Sequence, residues 1–100
     1  MRFEFHPQAL TEYEAAAGHY AARRAGLERE FIESVEQAID QIVRSPRTWR
    51  IFEDDIRRCL TRVFPYAVLY SIEAEMILIV AVMHSHREPG YWRERVAGRN

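Results

Sequence analysis

The sequence contains no lysine; all 14 of its basic side chains are arginines. That absence removes lysine-based proton transfer and Schiff-base chemistry. It leaves a cation suited to holding oxyanions in a planar fork and poorly suited to acting as a base. Cysteine is nearly absent too. Cys59 stands alone, so no internal disulfide forms, which fits a reducing compartment, and the residue reads as a small strand filler rather than a nucleophile. No apolar run approaches the roughly 18 residues of a membrane span. The start, MRFEFHPQAL, has no apolar core of a signal peptide, so the expected location is the cytoplasm, away from membranes. Glycine-rich phosphate loops are missing, which excludes the usual nucleotide-binding motifs.

What is present amounts to one domain, residues 1–100, with a thin core for its size. The net charge of −1 conceals an uneven distribution. Residues 1–43 carry 4 arginines against 8 acids, whereas residues 44–100 carry 10 against 7. The second half is therefore the one suited to meeting an anion or an acidic partner.

Local patterning divides the chain cleanly. Phe3 and Phe5 alternate with Arg2, Glu4 and His6, the period of a short half-buried strand, and Pro7 then opens a helix. Residues 8–25 repeat apolar side chains at helical spacing through Leu10, Tyr13, Ala17, Tyr20 and Ala21. Gly26 separates them from a second helix over residues 27–44. There Leu27, Phe31, Val35, Ala38, Ile39 and Ile42 make one stripe, with five acids largely off it. Ser45-Pro46 ends that helix. Residues 47–55 read as the one long loop. Residues 56–62 read as a strand near a sheet edge, with Ile56, Arg58, Leu60 and Arg62 on one face. Phe64-Pro65 marks a bend. Residues 66–72 and 76–83 form a hairpin at the centre of the sheet, the second strand apolar on both faces. Pro89-Gly90 breaks the chain, 91–96 make a closing helical turn, and 97–100 fray. The class is α+β, ordered β-α-α-β-β-β, with the helical hairpin covering one sheet face.

Chemistry-bearing residues concentrate in His84–Arg95, which reads HSHREPGYWRER. An arginine such as Arg62 or Arg87 can neutralise a phosphorane-like transition state while His84, His86 or Tyr91 moves protons. The pair His84-x-His86 is also a weak metal signal, with only Glu88 close by as a further ligand. The bland reading is that aromatics seal the end of the core beneath solvated arginines and histidines.

The run R-R-x5-F-P-Y-x3-Y from Arg57 to Tyr70, followed by I-L-I-V-A-V-M-H-x-H-R-x-P-x-Y-W from Ile77 to Trp92, resembles the RelE/ParE superfamily of toxins from bacterial type II toxin–antitoxin modules. The likeness covers essentially the whole chain. It implies a curved, mainly antiparallel sheet under a helical hairpin. It implies a growth-inhibiting cytoplasmic toxin, of the kind linked to plasmid stabilisation, neutralised by a cognate antitoxin. No cofactor or metal is implied. The superfamily divides into members that cleave mRNA on the ribosome and members that poison DNA gyrase. On the nuclease branch the resemblance assigns Arg62, Arg87, Tyr91 and either His84 or His86 to the catalytic site, with Glu53 as a further candidate base. The missing lysines and the acidic run Glu53-Asp54-Asp55 depart from a ribosome-facing surface and favour the gyrase-directed, ParE-like branch. Trp49, Phe52, Arg58, Trp92 and Arg93 are then the expected partner contacts, because arginines and aromatics dominate interface energetics.

Overall fold

The computed structural model describes residues 1–98. Strand β1 (Arg2–Phe5) leads into helix α1 (Pro7–Arg23) and helix α2 (Leu27–Arg44). Strands β2 (Ile51–Glu53), β3 (Ile56–Leu60), β4 (Tyr66–Glu73) and β5 (Met76–His84) follow. A single 3-10 turn, Arg93–Arg95, closes the described chain.

The helices begin and end where their residues dictate. His6 caps α1, its Nδ1 accepting the amide of Gln8 at 3.1 Å, and Pro7 occupies the first turn, where no amide is needed. The helix stops at Arg23, two residues before the expected end. Gly26 then adopts φ 87°, a left-handed conformation that glycine reaches without strain, and the chain reverses into α2. The expected stripe on α2 is buried through Phe31, Val35, Ala38, Ile39 and Ile42.

The five strands form one open sheet in the order β1-β5-β4-β3-β2. β1 runs parallel to β5, Phe3 opposite Ile77, and every other pairing is antiparallel. The hairpin of residues 66–84 therefore lies inside the sheet, as its apolar character requires. Alternation along β4 sorts its side chains. Val68 and Tyr70 join the core under the helices with Phe31, Val35 and Ile42, while Ala67 and Leu69 join a second core on the opposite face with Ile56, Ala81 and Trp92. The β4–β5 register shifts between Leu69 and Tyr70, which face Ala81 and Ile79. Val80 is thus the extra residue of a bulge.

The structure adds one element and shortens another. β2 occupies part of the segment expected to be loop. Ile51 and Glu53 pair with Arg57 and Ile56 of β3 across a register irregularity, which erases the period-2 pattern. β3 ends at Leu60 rather than Arg62. Thr61 turns the chain there, its amide bonding the Tyr66 carbonyl at 2.9 Å and its hydroxyl donating to Phe64 and Tyr66 carbonyls. Val63 takes φ 73° in the same turn, so Arg62 lies on the turn and does not share the strand face with Ile56. Residues 97 and 98 lie in turn conformation; the other half of the expected frayed end falls outside the described residues.

Candidate functional site

The tail motif begins at the last residue of β5. The His84 ring stands edge-on to Tyr66 at 5.0 Å, and its Nδ1 accepts the amide of His86 at 3.0 Å. That bond places the proton of a neutral His84 on Nε2, leaving Nε2 as a donor. The His86 ring lies 5.3 Å from that of His84. No third His, Cys, Asp or Glu among the described residues joins them in a metal-holding group. The chain then turns back, and the Arg87 guanidinium covers the Tyr91 ring at 3.8 Å. Glu12, His19, Tyr66, His84, Arg87 and Tyr91 line one cleft of about 290 Å³ between α1 and β5.

Tyr91 is poorly placed for proton transfer. Burial, reinforced by a hydrogen bond to Glu12 and by the charge of Glu12, pushes its phenol well above the usual range, and its hydroxyl lies buried. A phenol so protected stays protonated and inaccessible near neutral pH. Arg62 is not in this cleft. It lines a separate depression with Glu30, Glu33 and Gln37 of α2, and its carbonyl accepts the Ser34 hydroxyl at 2.7 Å. The expected catalytic set is therefore split: His84, His86, Arg87 and Tyr91 gather at the β5 end, and Arg62 sits against α2.

The expected partner contacts also divide. Trp92 is only 1% exposed and anchors the second core, because the Pro89-Gly90 break folds the tail back over the sheet. It offers a partner no surface in this conformation. Arg93 forks onto Glu53, Nε to Oε2 at 2.6 Å and Nη2 to Oε1 at 2.7 Å. This bidentate bond holds the Glu53 carboxyl below its ordinary range and occupies the further candidate base. Gly90 makes room for the fork: at φ 74°, a Cβ there would meet the Arg93 guanidinium. Trp49 is half-buried against the helix-side core. Phe52 is exposed and carries the Arg58 guanidinium 4.8 Å over its ring.

One constellation had no counterpart in the sequence reading. Arg95 grips Glu12 through Nη1 and Nη2 at 2.8 and 2.9 Å, with side-chain exposures of 8% and 16%. The same Glu12 accepts the Val82 amide at 3.1 Å, and the same Arg95 donates to the Val80 carbonyl at 3.0 Å. β1 ends at Phe5, opposite Ile79, so beyond that point the edge of β5 is covered by a charged side-chain pair instead of a strand. Partners 83 residues apart leave no local signal by which sequence reading could join them.

This arrangement, two helices on one face of a five-stranded, mostly antiparallel open sheet, is the fold of the ParE-like toxins. A solved structure titled as a chromosomal ParDE TA system from P. aeruginosa superposes with a TM-score of 0.62, at 14% identity, covering 84% of this chain and 95% of that one. At that identity the likeness concerns the fold. Residues 3–89 match the family described as the ParE toxin of type II toxin-antitoxin system, parDE, and the chain belongs to that family. No curated protein matches the sequence significantly.

Proposed function

We propose that this chain is the toxin of a ParE-like module, that it arrests growth by poisoning DNA gyrase, and that a cognate antitoxin neutralises it by binding it directly in the cytoplasm. The observation that carries the choice of target is the division of the nuclease set. Metal-independent RNA cleavage requires a base, an acid and an arginine converging on one phosphate. Here His84, His86 and Arg87 lie together at the end of β5, but Arg62 lines a separate depression against α2, Tyr91 is buried, Glu53 is bound by Arg93, and no lysine supplements them. Family membership supports the toxin role and, through the module's description, an antitoxin partner. Phe52 and Arg58 are the expected partner contacts that stand exposed on the sheet, and we assign them to protein recognition.

Induction of the chain without antitoxin, followed in parallel for DNA breaks and for mRNA cuts, tests the proposal. Gyrase-dependent breaks and an SOS response are expected, with translated transcripts intact and toxicity retained in Arg62→Ala. Codon-periodic mRNA cleavage that disappears in Arg87→Ala would replace the gyrase reading with a ribosome-dependent endonuclease.

A further inference from the structure

The helix-free face of the sheet is only half covered. The tail seals the end over Ile56, Leu69 and Ala81 with Trp92, while the end formed by β2 and β3 stays open. A depression of about 390 Å³ lies there, lined by Trp49, Arg50, Ile51, Phe52, Arg58 and Leu60. It continues through Arg58 and Leu60 into a second one, of about 250 Å³, that reaches Met83. Leu60 is 66% exposed, Ile51 53% and Phe52 41%. Three large apolar side chains so exposed and so close together make a patch of the kind that marks an interaction surface.

The charges beside this patch are uncommitted. Arg57 is spent on the carbonyls of Trp49 and Arg47. By contrast, no ion pair joins Arg50 or Arg58 to a carboxylate among the described residues. Glu53, the acid nearest in sequence to Arg50, is held by Arg93. Arg58 meets only the face of Phe52, which orients the guanidinium and leaves its donors available.

The geometry points to a docking site for an extended, acidic segment of a protein, with an aliphatic side chain beside Leu60 and Ile51 and carboxylates on Arg50 and Arg58. The inference deepens the assignment of Phe52 and Arg58 to protein recognition by naming the chemistry of what they recognise. A protein segment suits the site better than nucleic acid. The exposed aromatic of the site, Phe52, already carries the Arg58 guanidinium on one face of its ring, which leaves less of it for a stacked base, and Asp54 at the β2–β3 turn disfavours a run of phosphates. A peptide needs only one or two well-placed charges and an apolar contact.

The test uses the purified chain, separating it from any result on toxicity. The blocked peptide Ac-DLDLE-NH2, its lysine counterpart Ac-KLKLK-NH2 and a short DNA duplex are each titrated while backbone amide shifts are followed. The acidic peptide is expected to shift Ile51, Phe52, Arg58 and Leu60 selectively. Arg50→Glu with Arg58→Glu should lower its affinity at least about tenfold per lost charge-assisted bond and transfer preference to the lysine peptide. Leu60→Asp, at an exposed position where folding is unaffected, should weaken it as well; unchanged amide shifts elsewhere verify that each variant is folded. Tighter binding of the duplex, perturbation centred away from β2 and β3, or no saturable shift with the acidic peptide would each overturn the assignment.

Discussion

Single residues decide how the tail is held. Arg95 and Glu12 are both largely buried, and each satisfies a backbone group of β5 as well as its partner. Removing one leaves the other's charge without compensation in a low-dielectric site. Arg95→Met should therefore lower unfolding free energy by about 3 kcal/mol, read as the urea midpoint shift. Combining it with Glu12→Leu should recover part of the loss, since no lone charge then remains. Residue identity alone revealed some of this scale. Cys59 reads as a strand filler and is one, buried at 1% with its thiol pushed up to about 11 by burial. The candidate catalytic cluster was half legible: adjacency in sequence gathers His84, His86, Arg87 and Tyr91. Nothing local separates Arg62 from them, because the turn that diverts it depends on Thr61 bonding across to Tyr66.

Elements were easier to read than the contacts between them. The stripe on α2 identified both the helix and its buried face, since a 3.6-residue period survives any tertiary arrangement. β2 was invisible because three residues beside a register irregularity carry no period at all. The hinge of the architecture is Phe31, which brings Tyr20, Phe64 and Tyr66 within 5.0–5.4 Å, ring centre to ring centre, and Tyr13 within 6.1 Å. It thereby joins α1, α2, the β3–β4 turn and β4. Phe31→Ala should cost about 3–5 kcal/mol and broaden or abolish the thermal transition measured by circular dichroism, since the helices lose their shared anchor on the sheet.

Over the whole molecule, the helix-side core stores acids in their neutral form. Burial raises the phenols of Tyr13 and Tyr70 to about 12, Tyr13 with help from Glu36, and raises the Cys59 thiol to about 11. Each of these values exceeds that of the unfolded chain, so the folded state binds more protons at high pH. Their contribution is complete below the unfolded values of 9.0 and 10.0 and is lost as pH climbs through 11 and 12. Urea midpoints should accordingly hold up to about pH 9 and fall steadily above it. Tyr70→Phe should make that fall shallower while lowering stability at pH 8 by about 1 kcal/mol, because the Tyr70 hydroxyl donates to the Pro46 carbonyl at 2.6 Å. A flat alkaline profile in the parent chain would contradict this storage of protons.

The pairing of β1 with β5 also has a consequence in time. Ribosomes make the chain from β1 onward, yet the partner of β1 is Met76–Ile79, the far strand of the last hairpin. The helical hairpin is complete long before the strands that cover its apolar stripe have been made. Until β5 leaves the ribosome, neither core can close, because Ile79 and Val82 belong to one and Val80 and Ala81 to the other. Translation therefore delivers an unfinished chain with Phe31, Val35 and Ile42 uncovered, and only the synthesis of Met76–His84 lets it close into a folded member of a toxin family.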